Sequence, residues 1–279
     1  MTAPVQGPAG TEVCPPAWLA LREPADADAR SAALAASIPA PPGTVLVRDL
    51  GCGTGSMARW LAPRLPPGGQ HWVLHDRDAG LLEHAVASLP AGVTGEAEPG
   101  DLTRLDASAL AGTGLVVASA LLDLLSADEV DALAGACVMA GCPALMMLTV
   151  TGRVHLDPPD PLDAAISAAF DDHQRREART GRLLGPDAAP AAVTAFGRRG
   201  ARVRTAHTPW LLGPDRAELV REWLAGRLDA ACAQRPALRS HAGAYRDRRY
   251  RELARGRLRV AVGHTDLLAV PEAAPGDRS

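Results

Sequence analysis

Apolar and polar residues alternate in blocks that read as helix and strand in turn. Trp18 to Ile38 carries Trp18, Leu21, Ala25, Leu34 and Ile38 on one stripe at helical spacing, and Pro39 to Gly43 ends it. Thr44 to Leu50 is a short β-branched, apolar run. A glycine-rich loop follows it directly, and Met57 to Leu65 then reads as a helix stopped by Pro66 and Pro67. The alternation repeats. Strands are expected at His71 to His75, Val93 to Ala97, Gly114 to Ala120 and Ala144 to Thr151, with helices at Gly80 to Leu89 and Asp128 to Ala140. Strands separated by helices of this length imply a parallel sheet built by right-handed crossovers.

Beyond Thr151 the rhythm loosens. Asp157 to Pro161 is a Pro-rich loop, and Leu162 to Thr180 and Asp187 to Gly200 are helical. Arg202 to His207 alternates as a strand. Asp215 to Ala233 and His241 to Gly256 are helices, and Leu258 to Val270 is the last strand. Two strands joined by a long helical excursion at the end of a parallel sheet predict an antiparallel edge pair.

Composition narrows the chemistry. The chain has 279 residues, enough for one large α/β unit, and a formal charge of −3 that argues against nucleic acid. All 29 basic residues are Arg, and neither Lys nor Asn occurs. That removes Schiff-base chemistry, the P-loop lysine, a Tyr-x-x-x-Lys dyad and a Cys-His-Asn set. The five cysteines show no Cys-x-x-Cys spacing, which fits reduced thiols in cytoplasm and no metal site. No signal peptide or apolar run of membrane-spanning length is evident, so no membrane partner is expected.

The sharpest feature is Asp49-Leu50-Gly51-Cys52-Gly53-Thr54-Gly55. Glycine serves where the backbone needs positive φ or must approach a ligand closely. Ser56 leaves the dinucleotide Gly-x-Gly-x-x-Gly pattern incomplete. The carboxylate of Asp49 would repel a pyrophosphate but suits an ammonium group. Asp76, with Arg77 beside it, ends the next strand, where an acid can accept hydrogen bonds from both ribose hydroxyls. Asp78 is the better helix cap. Asp101, in Gly100-Asp101-Leu102, follows the third strand and can accept an adenine amino group.

With these residues in place, the run from Val45 to Leu125 resembles the class I S-adenosylmethionine (SAM)-dependent methyltransferases, in particular bacterial small-molecule enzymes. The resemblance implies a Rossmann-like, seven-stranded, mostly parallel sheet with the last strand antiparallel and helices on both faces. Residues 1–40 would be a tail and lid helix. Residues 41–279 would be the methyltransferase domain, its helical insertions near 155–187 and 213–256 covering the site. It implies S-adenosyl-L-methionine as cofactor. Asp49 would meet the methionine end, Gly51, Cys52, Gly53 and Gly55 would line the loop, Asp76 and Arg77 would take the ribose side, and Asp101 and Leu102 would flank the adenine. Ser119 would lie near the methyl group.

Methyl transfer leaves no fixed catalytic signature, because positioning supplies much of the rate. Candidate bases are Asp123, His155, His173 and His207. His155, read as following the fifth strand, and His173, on the inserted helix, are the first choices. Trp210 is a candidate pocket wall or, equally, a core residue. Arg22 and Arg30 can meet a carboxylate or lie exposed on the first helix. Asp157-Pro158-Pro159-Asp160 is similar to an Asp-Pro-Pro-Tyr motif but lies after the wrong strand and ends in Asp. The expected partner is a small-molecule acceptor, and a homodimer is allowed. The alternatives are an rRNA or tRNA methyltransferase using the Arg-rich helix 246–259, and a non-catalytic SAM-binding protein.

Overall fold

The computed structural model describes residues 14–39, 43–100 and 106–272. Its main sheet contains the strands β1 (Val45–Leu50), β2 (Gln70–Asp76), β3 (Thr94–Pro99), β4 (Leu115–Ser119), β5 (Ala144–Asp157), β8 (Ala201–His207), β9 (Trp210–Leu212) and β10 (Arg259–Pro271). The order is β3-β2-β1-β4-β5-β10-β8, with β9 also paired to β10. β1 to β5 run parallel, and β10 is antiparallel to β5, β8 and β9. The predicted seven-stranded arrangement is therefore present and gains the short strand β9. Only three residues long, β9 carried no readable alternation.

Helices cover both faces. On one side α2 (Ala32–Ala35), α3 (Ser56–Leu61) and α4 (Ala79–Ala87) enclose Val47, Trp72, Leu74, Val117 and Leu145. On the other, α5 (Ala127–Met139) and α7 (Ala188–Arg198) enclose Leu50, Val116, Ala118, Met146 and Leu267. Alternate residues of one strand thus feed opposite cores. Asp78 caps α4 through its side chain, as expected, and Ser126 and Glu129 form a capping box on α5.

Three elements depart from the sequence reading. The first helix is broken: α1 spans Pro16–Ala29 and α2 only Ala32–Ala35, because Arg30 turns to extended backbone and Ser31 caps α2. The helix read as Leu162 to Thr180 stops at Gln174 as α6 (Asp163–Gln174), and β6 (Glu177–Ala178) and β7 (Gly181–Arg182) form a small hairpin. Gly181, with φ +115°, supplies that turn.

The third departure shapes the molecule. β5 does not end at Thr151 but continues to Asp157, paired with β10 throughout. Register shifts between Val262 and His264 and between Thr265 and Leu267 mark where this long ribbon leaves the sheet proper. Past them, β9 joins β10. There α6, α8 (Ala217–Gln234) and α9 (Arg239–Ala254) pack with α1 into a third core around Trp210, Leu224, Leu228, Tyr245 and Val260. The helices α6, α8 and α9 thus stand on an extension of the sheet beyond its C-terminal edge.

Candidate cofactor and acceptor site

The loop after β1 makes its tight turn with Gly51, Gly53 and Gly55 at φ +65°, +54° and +82°. At Gly55 a Cβ would lie 3.1 Å from the Cα of Ala85, so both conformation and close helix packing demand glycine. At Gly51 a Cβ would stand 3.0 Å from Leu121, so the loop after β4 presses directly on the glycine loop.

Asp49 lies beneath this turn with 1% exposure. Neither carboxylate oxygen has a hydrogen-bond partner. Burial, opposed by the charge of Arg30, pushes its carboxyl up to about 7. A buried carboxylate without partners is costly, so the geometry is poised for a donor or cation from outside the chain.

Asp76 ends β2 as expected. Its Oδ2 accepts from Gly53 N at 3.0 Å and its Oδ1 from Asp78 N at 3.1 Å, so it ties the glycine loop to the next turn. Cys52 is buried and Arg77 exposed. Asp101 and Leu102 lie outside the described residues.

Arg30 is the residue that sequence reading undervalued. Exposed placement was one of the two readings for Arg22 and Arg30, yet Arg30 is 4% exposed and reaches back over the loop. It donates to Ser56 O at 3.2 Å, Ser56 Oγ at 3.0 Å and Ser119 Oγ at 3.0 Å. Arg22 is bidentate on the buried Asp26 at 2.9 and 3.1 Å, and its guanidinium stands 4.9 Å over the Trp210 ring. Trp210 is buried in the third core, as the core reading has it, and donates to Asp26 at 3.0 Å, so it docks α1. The Arg22–Asp26 spacing of four residues was the available signal for this pairing.

The histidine candidates scatter. His155 does not follow the fifth strand; it lies inside β5, exposed, opposite Ala261. Seven residues past Leu148, it stands on the order of 20 Å of strand from the sheet edge. His173 occupies the last turn of α6, half-buried, and His207 ends β8, exposed. None joins Asp49. What gathers at the sheet edge instead is Asp123, in a 3-10 turn after β4, and His264 of β10. Both are buried, with Asp123 Oδ1 and His264 Nδ1 lacking partners.

No protein-family model and no curated sequence matches the chain. Solved structures are similar in fold. The YcgJ protein of Bacillus subtilis is 13% identical across 87% of this chain and 98% of its own, with a TM-score of 0.51. A mycolic acid cyclopropane synthase complexed with SAH is 18% identical over 85% of this chain and 82% of its own, at a TM-score of 0.47. An S-adenosylmethionine-dependent methyltransferase from Mesorhizobium loti is 18% identical over 84% and 98%, at 0.40. The likeness is one of fold: in this chain a Rossmann-like, mostly parallel sheet whose penultimate position in the strand order is held by the antiparallel last strand.

Proposed function

We propose that this protein is a SAM-dependent methyltransferase acting on a small-molecule acceptor. The observation that carries the reading is Asp49: a buried carboxylate with both oxygens unpartnered, under a glycine loop, at the C-terminal edge of a parallel sheet. Ligands of open α/β sheets bind at that edge. The methionine ammonium of SAM provides the cation such a carboxylate requires, which a pyrophosphate cofactor would not.

When bound, SAM supplies a methyl group already activated on a sulfonium. The chain's own residues hold and orient. Asp49 would meet the ammonium, and Gly51, Cys52, Gly53 and Gly55 would line the loop. Asp76 keeps lone pairs for ribose beyond its two backbone bonds. Asp101 and Leu102 would flank the adenine, and Ser119, at the end of β4, would face the methyl end beside Arg30.

The Arg-rich helix commits part of its charge internally, which weighs against the nucleic-acid alternative. Arg249 is fully buried and bonded to Asp163, Glu252 and Pro158 O, while Arg248 is bidentate on Asp160 at 2.7 and 3.2 Å. These two guanidiniums are not offered to phosphates, while Arg246, Arg251, Arg255 and Arg257 are exposed. Among the described residues no helix is long and apolar enough to cross a membrane.

Calorimetry with SAM, S-adenosylhomocysteine and NAD tests the reading. SAM and S-adenosylhomocysteine are expected to bind and NAD not. Asp49→Ala should weaken SAM at least about tenfold, equivalent to the loss of one charge-assisted hydrogen bond. Binding of NAD without SAM would overturn the assignment.

A further inference from the structure

Asp123 sits where the loop after β4 turns toward the site. Two residues earlier, Leu121 touches the glycine loop at Gly51. Asp123 is buried, and its Oδ1 finds no hydrogen-bond partner. Arg22, from α1, and Arg176, following α6, are the charged groups that act on it from the packed elements. Arg22 also influences His264, whose ring centre lies 5.3 Å from that of Trp210 and whose Nδ1 is the second buried orphan. Side chains from α1, the β4 loop, β9 and β10 therefore converge on one polar region beside the glycine loop, and two of them leave hydrogen-bonding capacity unspent.

We propose that Asp123 is the proton-accepting catalytic residue of this site, and that the acceptors are small molecules that lose a proton from O–H or N–H as they are methylated. The inference rests on the methyltransferase reading above. A lone pair on the acceptor oxygen or nitrogen forms the new bond to the methyl carbon, and the carbon–sulfur bond breaks with its electron pair going to sulfur. The O–H or N–H proton passes to Oδ1 of Asp123, leaving its bonding pair on the acceptor atom. Burial holds the Asp123 carboxyl above the usual carboxylate range, bringing its proton affinity closer to neutral pH. Burial also drives the His264 imidazole down to about 4, so His264 stays neutral and acts as a hydrogen-bonding wall rather than a charge. An acceptor with no proton to lose, such as a thioether, gains nothing from this arrangement.

The test uses the full chain with tritiated SAM and three ring-matched probes: p-cresol, benzylamine and thioanisole. Methylation of p-cresol or benzylamine, cut by about 100-fold or more in kcat by Asp123→Asn and partly restored in Asp123→Glu, supports the proposal. The KM for SAM should be unchanged in Asp123→Asn. Preferential methylation of thioanisole overturns it, as does Asp123→Asn activity within threefold of wild type, or SAM binding with no transfer to any probe. Independently of turnover, infrared pH titration should show one fewer carboxyl protonating above the ordinary range in Asp123→Asn than in wild type, those of Asp49, Asp171 and Asp266 remaining in both; identical titrations overturn the proposal. Calorimetry on the same preparations separates the two levels. Wild-type protein that fails to bind SAM overturns the methyltransferase reading as well, whereas intact SAM binding confines any failure to Asp123.

Discussion

Asp266 Oδ1 accepts a hydrogen bond from the backbone N–H of Leu148 at 2.7 Å. The same carboxylate accepts from Thr208 Oγ1 at 2.9 Å and, through Oδ2, from Ser31 N at 2.8 Å. Leu148 stands at φ +55°, a left-handed conformation that costs a non-glycine residue about 1–3 kcal/mol. Asp266 thus holds a strained turn of β5 at the sheet edge while fixing Ser31, the cap of α2. It does so with 0% exposure and, among the described residues, no cation hydrogen-bonded to it.

Asp266→Ala should therefore cost about 2–4 kcal/mol, because the buried N–H of Leu148, the part-buried N–H of Ser31 and the buried Thr208 hydroxyl all lose their partner. Urea unfolding measures it. A loss below about 1 kcal/mol would mean that the β5 turn is held by its neighbours without Asp266.

Much of this architecture was legible in the chain, and the limits have physical causes. The strands β1, β2, β4 and β10 announce themselves because a doubly covered strand is a continuous apolar run. Asp49, the glycines and Asp78 follow from local turn and cap chemistry. The extension of β5 was hidden because Thr151 to Asp157 mixes polar and apolar residues, with a glycine, and gains its pairing only from β10, more than a hundred residues later. Arg30 and Asp266 were obscured for a related reason. A charged residue at a helix end or inside a strand declares its burial only when a distant partner is known, here Ser119 for Arg30 and Leu148 for Asp266.

Arg30 and Glu23 should fasten the first helix to the glycine loop. Glu23 pairs with Arg59 of α3 at 2.8 and 2.6 Å, and Trp60 donates to Ala27 O at 3.0 Å. Leu19 lies over Gly53, 3.1 Å from where a Cβ would be. Arg30→Ala removes the three contacts to Ser56 and Ser119, and amides of residues 16–35 should exchange about tenfold faster, a loss of about 1.4 kcal/mol. Unchanged exchange there would show that the helix is held by its apolar face alone.

Arg249 and Arg246 offer a contrast within one helix. The Arg249 side chain is 0% exposed and answers Asp163, Glu252 and a backbone carbonyl. Arg249→Met strands those acids and should destabilise by about 3–5 kcal/mol. Arg246 is exposed, and Arg246→Ala should stay within about 0.5 kcal/mol. Equal losses for the two would contradict the buried network. Salt-sensitive RNA binding removed by Arg246→Ala would revive the nucleic-acid alternative.

Asp49 makes the stability and the ligand affinity depend on pH in opposite directions. In the folded chain its carboxyl sits at about 7, against an ordinary 3.8. Below pH 4 both folded and unfolded chains hold the proton, and its contribution to stability is complete. Between pH 4 and 7 the unfolded chain ionises while the folded one resists, so stability falls as pH rises and levels off above 7. Burial raises Asp123, Asp171 and Asp266 in the same sense, so the informative quantity is the difference between wild type and Asp49→Asn, which should remove part of this slope. Binding reverses the trend. An ammonium ligand needs the carboxylate, so SAM affinity should climb through pH 6 and flatten above 7. Calorimetry at pH 6 in buffers of different ionisation enthalpy should show release of up to about one proton per SAM bound, absent in Asp49→Asn. A wild-type affinity flat from pH 5 to 8 would mean that Asp49 does not meet the ammonium.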